Sequence, residues 1–166
     1  QSLVLVGGGP SSCELAAEIK LRYPQKSVTL VHSRKTLLSS DDISQSTKKR
    51  LESKLKYIGV QLYLNEKVQD IPQDSPYKTG SHIIRTKNGT EIESDLTFYC
   101  ISKPSPSSSF LRTTFPNCID DLGFIKVKPT LQLDGPEVDR IFAMGDVAGS
   151  GAPKMTRVLQ FQADIV

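Results

Sequence analysis

Apolar positions in the opening third of the chain fall into two alternating rhythms. Leu3-Val4-Leu5-Val6, Val28-Thr29-Leu30-Val31 and Val60-Gln61-Leu62-Tyr63-Leu64 are short, nearly continuous apolar runs, the pattern of strands buried on both faces of a parallel sheet. Between the first two, Leu15, Ala16 and Ile19 recur on one helical face, from Pro10 at a first helical position to a stop at Tyr23-Pro24. A second, basic helix is predicted from a cap at Ser40-Asp41-Asp42 through Tyr57. The order β-α-β-α-β is that of a mononucleotide-binding half.

After Asn65 the rhythm changes. Strand-like stretches near Val68–Ile71, Ile83–Thr86 and Ile92 are separated by Pro, Ser and Gly turns, which predicts an antiparallel β-meander. Asn88-Gly89 signals a hairpin, because both residues tolerate the positive φ of a type I′ turn. Leu96 to Cys100 returns to a buried strand, Lys103 to Ser109 reads as a Pro/Ser link, and Phe124–Val127, Leu131–Leu133 and Ile141–Asp146 are further strand-like segments. The fold class expected is α/β: over residues 1–108, a Rossmann-like parallel sheet with helices on both faces and a meander, then a second region over 109–166.

Composition narrows the partners. Lys and Arg outnumber Asp and Glu by only 21 to 18, a net charge of +3 that predicts no nucleic-acid surface. Cys13, Cys100 and Cys118 form no C-x-x-C pair, so neither a zinc site nor a disulfide framework is expected, and a reducing intracellular compartment fits best. No apolar run has the roughly 18 to 20 residues of a membrane span. A strand beginning at Ser2 and an apolar helix under way at Leu159-Gln160-Phe161 suggest a segment of a longer protein.

The chemistry is carried by Gly7-Gly8-Gly9-Pro10-Ser11-Ser12. In a dinucleotide fold the first glycine permits the tight turn, the second lets backbone approach a pyrophosphate, and the third position packs helix on strand. Gly7 and Gly9 supply two, Ser12 stands third, and Pro10 opens the helix whose N-terminus faces the phosphates. At the end of the second strand, where Asp or Glu would select NAD, stand His32, Ser33, Arg34 and Lys35. A 2′-phosphate, repelled by a carboxylate, could pair with Arg and Lys, so NADPH is admissible beside NADH; equally, the two cations could be a solvated turn. Three other features read as structural. Tyr99 to Lys103 spells Y-x-x-x-K, but Tyr99 ends a strand and Pro104 follows Lys103, so the pair does not share a helical face; Cys13 reads as a buried helix residue; His82 reads as a solvent-facing strand residue.

Gly7-Gly8-Gly9-Pro10 with Cys13-Glu14-Leu15-Ala16-Ala17-Glu18 resembles the G-G-G-x-x-x-x-E-L-A-G-E of flavin-dependent pyridine-nucleotide oxidoreductases, and Ile141-Phe142-Ala143-Met144-Gly145-Asp146 resembles that family's late flavin motif. Val31-His32-Ser33, Leu37-Leu38 and Gly151-Ala152-Pro153-Lys154-Met155 resemble most its apoptosis-inducing-factor-like branch, in particular fungal members and the ferroptosis-suppressor type of quinone reductase. The resemblance implies hydride transfer from NAD(P)H to FAD and electron transfer to a quinone-like acceptor. It also implies an NAD(P)H domain over 1–108 and the second part of a split FAD domain over 109–166, without the first FAD glycine motif and inactive by itself. It places Glu14 near the nicotinamide end, Gly145 and Asp146 against FAD, and Lys154 and Met155 near the flavin ring. The family's A-T-G crossover is here Cys100-Ile101-Ser102, which puts Ser102 beside the cofactor in place of glycine. The rival expectation is a dinucleotide-binding module without redox function, a sensor or cell-death effector. Neither reading names a catalytic residue, and membrane association stays open between a cytoplasmic site and a peripheral one on mitochondria or lipid droplets.

Overall fold

A computed structural model describes residues 1–40, 43–72, 74–101, 106–136 and 138–166. They group into two compact units, within 1–102 and 103–166.

The first unit is built on β1 (Ser2–Val6), α1 (Pro10–Arg22), β2 (Ser27–His32), α2 (Gln45–Tyr57), β3 (Val60–Leu64), β4 (Tyr77–Arg85) and β5 (Glu91–Tyr99). Its five strands lie in the order β3-β2-β1-β5-β4. β1 runs parallel to β2 and β5, β2 runs parallel to β3, and β4 pairs antiparallel with β5 at one edge. Alternation along the strands divides the core. Leu5, Val28, Leu30 and Val60 pack with Cys13 and Ala16 of α1 and Leu55 of α2. Val4, Val6 and Val31 pack with Val68, Ile84, Ile92 and Tyr99. Helices were expected on both faces; among the described residues α1 and α2 share one, and the connector after β3 and the β4–β5 hairpin fill the other. The reason is local, since Asp70, Pro72, Ser75 and Pro76 deny that connector a helix.

Helix α1 starts at Pro10 and stops at Tyr23, whose amide donates to Ile19 O. Helix α2 begins later than expected. Its cap is Ser44, whose Oγ accepts from Thr47 N at 3.2 Å, while the expected Asp41 and Asp42 lie outside the described residues.

The meander is a two-stranded hairpin. The Ile92 and Leu96 stretches fuse into the nine-residue β5, and Val68 adds only a bridge to Thr86. The turn is not type I′ either. Gly89 has φ +86° but Asn88 is not in the left-handed region, Gly89 N donates to Thr86 O at 3.1 Å, and Thr86 N donates to Thr90 O at 3.0 Å. That is a three-residue loop with a left-handed glycine. His82 is not simply solvent-facing. It is half-buried, with its ring nitrogens 2.6 Å from Gly80 O and 2.9 Å from Thr97 Oγ1, where it spans an irregularity in β4.

The second unit centres on Cys118, Ile125, Leu133, Val138, Ala143 and Ala148. Its expected strands are reduced to single bridges, Val127 with Leu133 and Gln132 with Phe142, around a left-handed Leu131 (φ +64°). A 3₁₀ turn at Gly145–Val147 precedes α3 (Thr156–Ala163). The start of the expected link, Lys103-Pro104-Ser105, lies outside the described residues.

Candidate functional site

A cleft of about 440 Å³ opens at the C-terminal ends of β1, β2 and β5. Here the chain leaves β1 with β2 on one side and β5 on the other, the switch point at which open α/β sheets bind ligands. Gly7 to Ser12 form its floor, Val31, His32 and Ser33 one wall, and Cys100 and Ile101 another.

The three glycines do different jobs. Gly7 adopts φ +124°, its amide donates to Val31 O at 2.8 Å, and a Cβ there would stand 2.5 Å from Cys100 O. It lets the chain leave β1 pressed against the end of β5. A Cβ on Gly8 would strike the His32 ring at 2.4 Å. Gly9 is unlike both: its φ of −79° suits any residue, and a Cβ there would meet nothing within 4 Å. The fold does not need that hydrogen, so the open space lies on the ligand side of the turn.

Gly9 is also the N-cap of α1, without a side-chain cap. The first intrahelical bond runs from Cys13 N to Gly9 O, and Pro10 has no amide, which leaves the Ser11 and Ser12 amides at the helix mouth. Ser12 is buried and its hydroxyl donates to Gly9 O at 2.9 Å, so its side chain holds the turn. An anion over Gly9 would meet two amides and the positive end of a thirteen-residue helix. Turn, open face and helix mouth fit a dinucleotide pyrophosphate.

His32 is half-buried over Gly8, with Nε2 2.9 Å from Ser39 Oγ, which in turn donates to Thr36 O. Burial, then the charge of Arg34, hold its imidazole below the ordinary value, against a hydrogen bond with the Thr36 backbone that pulls the other way. Ser33 lines the cleft, whereas Arg34 and Lys35 are exposed and are not among its lining residues; nor is Glu14, exposed on α1. Cys13 is buried and desolvation pushes its thiol up to about 11, as suits a packing residue. Tyr99 ends β5 buried, its phenol raised by burial and then by Asp70, away from any helical pairing. Lys103 and Ser102 lie outside the described residues.

Sequence reasoning missed one wall. Glu66, Lys67, Val68 and Ile71 of the β3–β4 connector close the cleft opposite the glycines. Backbone bonds place them: Asn65 N donates to Arg34 O and Glu66 N to His32 O, both at 2.9 Å. The hairpin tip clamps them, with Lys87 N donating to Lys67 O at 2.8 Å, Asn88 Nδ2 to Asn65 O at 3.1 Å and Thr90 Oγ1 to Glu66 Oε1 at 3.2 Å. The only local signal was Val68 within a short apolar stretch.

The second unit gathers Gly145, Asp146, Lys154 and Met155 around one open depression of about 520 Å³. Asp146 is exposed and, among the described residues, has no hydrogen-bond or ion-pair partner, so its carboxylate is free to accept from a ligand hydroxyl. This fits one stretch of a flavin dinucleotide. Two neighbouring groups are already engaged. Gly145 N donates to Gln162 Oε1 at 2.8 Å, and the Lys154 ammonium donates to the Ala148 and Gly145 carbonyls 4.9 Å from the Phe124 ring centre. Among the described residues no group of His, Cys, Asp and Glu could hold a metal, and no helix is long and apolar enough to cross a membrane.

Residues 1–163 match the family described as pyridine nucleotide-disulphide oxidoreductase. Ferroptosis suppressor protein 1 of Taeniopygia guttata is 36% identical over all of this chain and 44% of its own length. Apoptosis-inducing factor homolog A of Dictyostelium discoideum is 35% identical over 94% of this chain and 41% of its own, and Fe-regulated protein 8 of Mycosarcoma maydis 37% identical over 89% and 34%. The chain thus spans less than half the length of these relatives. Among solved structures, LpdA of Mycobacterium tuberculosis superposes with a TM-score of 0.74 at 20% identity, over 99% of this chain and 33% of that one, a likeness of fold.

Proposed function

The chain belongs to the pyridine nucleotide-disulphide oxidoreductase family, on the branch that includes ferroptosis suppressor and apoptosis-inducing factor relatives, and from that premise we propose that it is the coenzyme-binding part of an FAD-dependent NAD(P)H oxidoreductase that passes electrons to a quinone-like acceptor. Residues 1–108 form the NAD(P)H domain in this reading, and 109–166 one part of the FAD domain. FAD, when bound, supplies the chemistry by accepting hydride from the reduced nicotinamide. The residues here bind and orient. Gly9 leaves the pyrophosphate room to approach, and the Ser11 and Ser12 amides donate to it. His32 and Ser33 border the adenosine ribose, and Asp146 accepts a hydrogen bond from FAD. The observation that carries the reading is the open face of Gly9 at the mouth of α1.

One observation favours a module without redox function: Gly145 N and the Lys154 ammonium are satisfied within their own unit. A single experiment separates the two. The intact polypeptide is purified, its flavin spectrum recorded, and NADH and NADPH oxidation followed with a soluble quinone. Flavin in the wild type, lower occupancy in Asp146→Ala and quinone-dependent oxidation support the oxidoreductase. Coenzyme binding without flavin supports the module.

A further inference from the structure

We propose that Lys67, on the connector after β3, recognises a 2′-phosphate on the coenzyme and so makes the cleft selective for the phosphorylated dinucleotide. The proposal rests on the coenzyme reading above and adds the residue that discriminates.

Lys67 is the one Lys or Arg among the described residues lining the cleft. It is exposed, and its ammonium has no hydrogen-bond or ion-pair partner among the described residues, so a ligand would displace no internal bond. Its backbone is held on each side. Glu66 N donates to His32 O, Lys67 O accepts from Lys87 N, and Val68 bridges Thr86. The bond to His32 O brings the connector alongside the end of β2, where Ser33 lines the same cleft and offers a hydroxyl.

The other charge on that wall, Glu66, bears on selectivity. A free carboxylate would repel a 2′-phosphate and accept from an unphosphorylated ribose. Its Oε1 accepts from Thr90 Oγ1, which directs that oxygen to the hairpin tip, while Oε2 is buried without a hydrogen-bond partner among the described residues. The wall thus offers a phosphate a mobile cation and a hydroxyl beside one buried carboxylate oxygen, whose charge the Lys67 ammonium has to offset. A lysine suits this role, as a point charge on a flexible stem that reaches a phosphate oxygen without demanding planar geometry. Arg34 and Lys35, equally exposed, stand outside the cleft lining.

The test is calorimetric titration of NADP⁺ and NAD⁺ into the intact wild-type protein and its Lys67→Met, Lys67→Arg and Arg34→Ala variants at fixed low salt, with melting temperatures as a control for folding. Lys67→Met is expected to weaken NADP⁺ about 10- to 100-fold, the worth of one charge-assisted bond, and NAD⁺ by less than about twofold. Lys67→Arg should retain most of the preference, and Arg34→Ala should lose less than Lys67→Met. Raising salt should weaken NADP⁺ more in wild type than in Lys67→Met. Equal losses for both coenzymes, no loss, or a selective loss confined to Arg34→Ala would overturn the assignment. Failure of the folded wild type to bind either coenzyme would overturn the coenzyme reading itself.

Discussion

Gly7 and Gly9 stand two residues apart in one turn, yet their replacement by alanine should have opposite consequences. At Gly7 the added Cβ would lie 2.5 Å from the Cys100 carbonyl oxygen, with φ at +124°. Left-handed strain of about 1–3 kcal/mol adds to about 1–3 kcal/mol for forcing the neighbouring backbone aside. A loss near 3 kcal/mol lowers the melting temperature of a unit of roughly 100 residues by about 12–24 °C. At Gly9 the methyl meets nothing within 4 Å. A poorer N-cap costs about 0.5–1 kcal/mol, and the stiffer unfolded chain returns about 0.4–1 kcal/mol, so stability should hardly change. The methyl does occupy the space where a pyrophosphate would approach, and coenzyme affinity should fall at least about tenfold, the effect of roughly 1.4 kcal/mol of lost contact. Scanning calorimetry and coenzyme titration on the two variants form the assay. A Gly9→Ala protein that melts and binds like wild type would refute the assignment of that face to the ligand. One that melts as low as Gly7→Ala would show that the turn needs both glycines for its own packing.

Three further outcomes follow from the same wall and floor. Because His32 is held below its ordinary pKa in the fold, its neutral form favours folding above about pH 6.5, and that contribution is lost as pH falls below it; the free energy of unfolding from denaturant melts between about pH 7.5 and 5.5 should fall less steeply in His32→Gln, by at most about 1.4 kcal/mol per pH unit. Cys13, buried with its thiol raised to about 11, should resist maleimide at pH 8 in the folded protein and react once denaturant is added, whereas rapid native labelling would contradict its burial. Thr90→Val removes a hydroxyl that holds Glu66, and should weaken NADP⁺ a few-fold more than NAD⁺ with a stability loss of about 1 kcal/mol; unchanged affinity for both would mean that the hairpin tip does not shape the cleft.

What the sequence made legible was local. Strand β3 runs from Val60 to Leu64 as the apolar run predicts, and α1 begins and ends at its prolines, because period and punctuation are written within a few residues. The cap of α2 was misplaced because the stretch from Ser39 to Ser46, polar but for Ile43, offers several capping side chains, and only the backbone shows that Ser44 takes Thr47 N. The break expected between Ile92 and Leu96 is a pair of polar residues with partners the local pattern does not show, Ser94 bonded to Thr97, which His82 reaches from β4, and Asp95 bonded to Ser2 more than ninety residues away. Lys67 escaped notice for the same reason. Nothing near it resembles a site, and it gains one only because Glu66 pairs with His32 and Lys87 with Lys67. In the second unit, apolar triplets that look like strands are satisfied by single bridges.

The parallel pairing of β1 with β5 also sets when the cleft can exist during synthesis. Asp95 accepts hydrogen bonds from Ser2 N at 2.8 Å and Ser2 Oγ at 3.3 Å, and Val6 stands in register with Tyr99, contacts separated by more than ninety residues. Gly7 is shaped by the Cys100 carbonyl, so the turn lacks one of its walls until that residue has left the ribosome. At about 5–20 residues per second, the nascent β1 waits roughly 5–20 s for its last neighbour, about 2–7 s of it after β3 is complete, with an unpaired edge of β1 exposed meanwhile. Nucleotide binding cannot assist the early steps, and a chaperone that shields that edge would serve this unit better than one that recognises its helices.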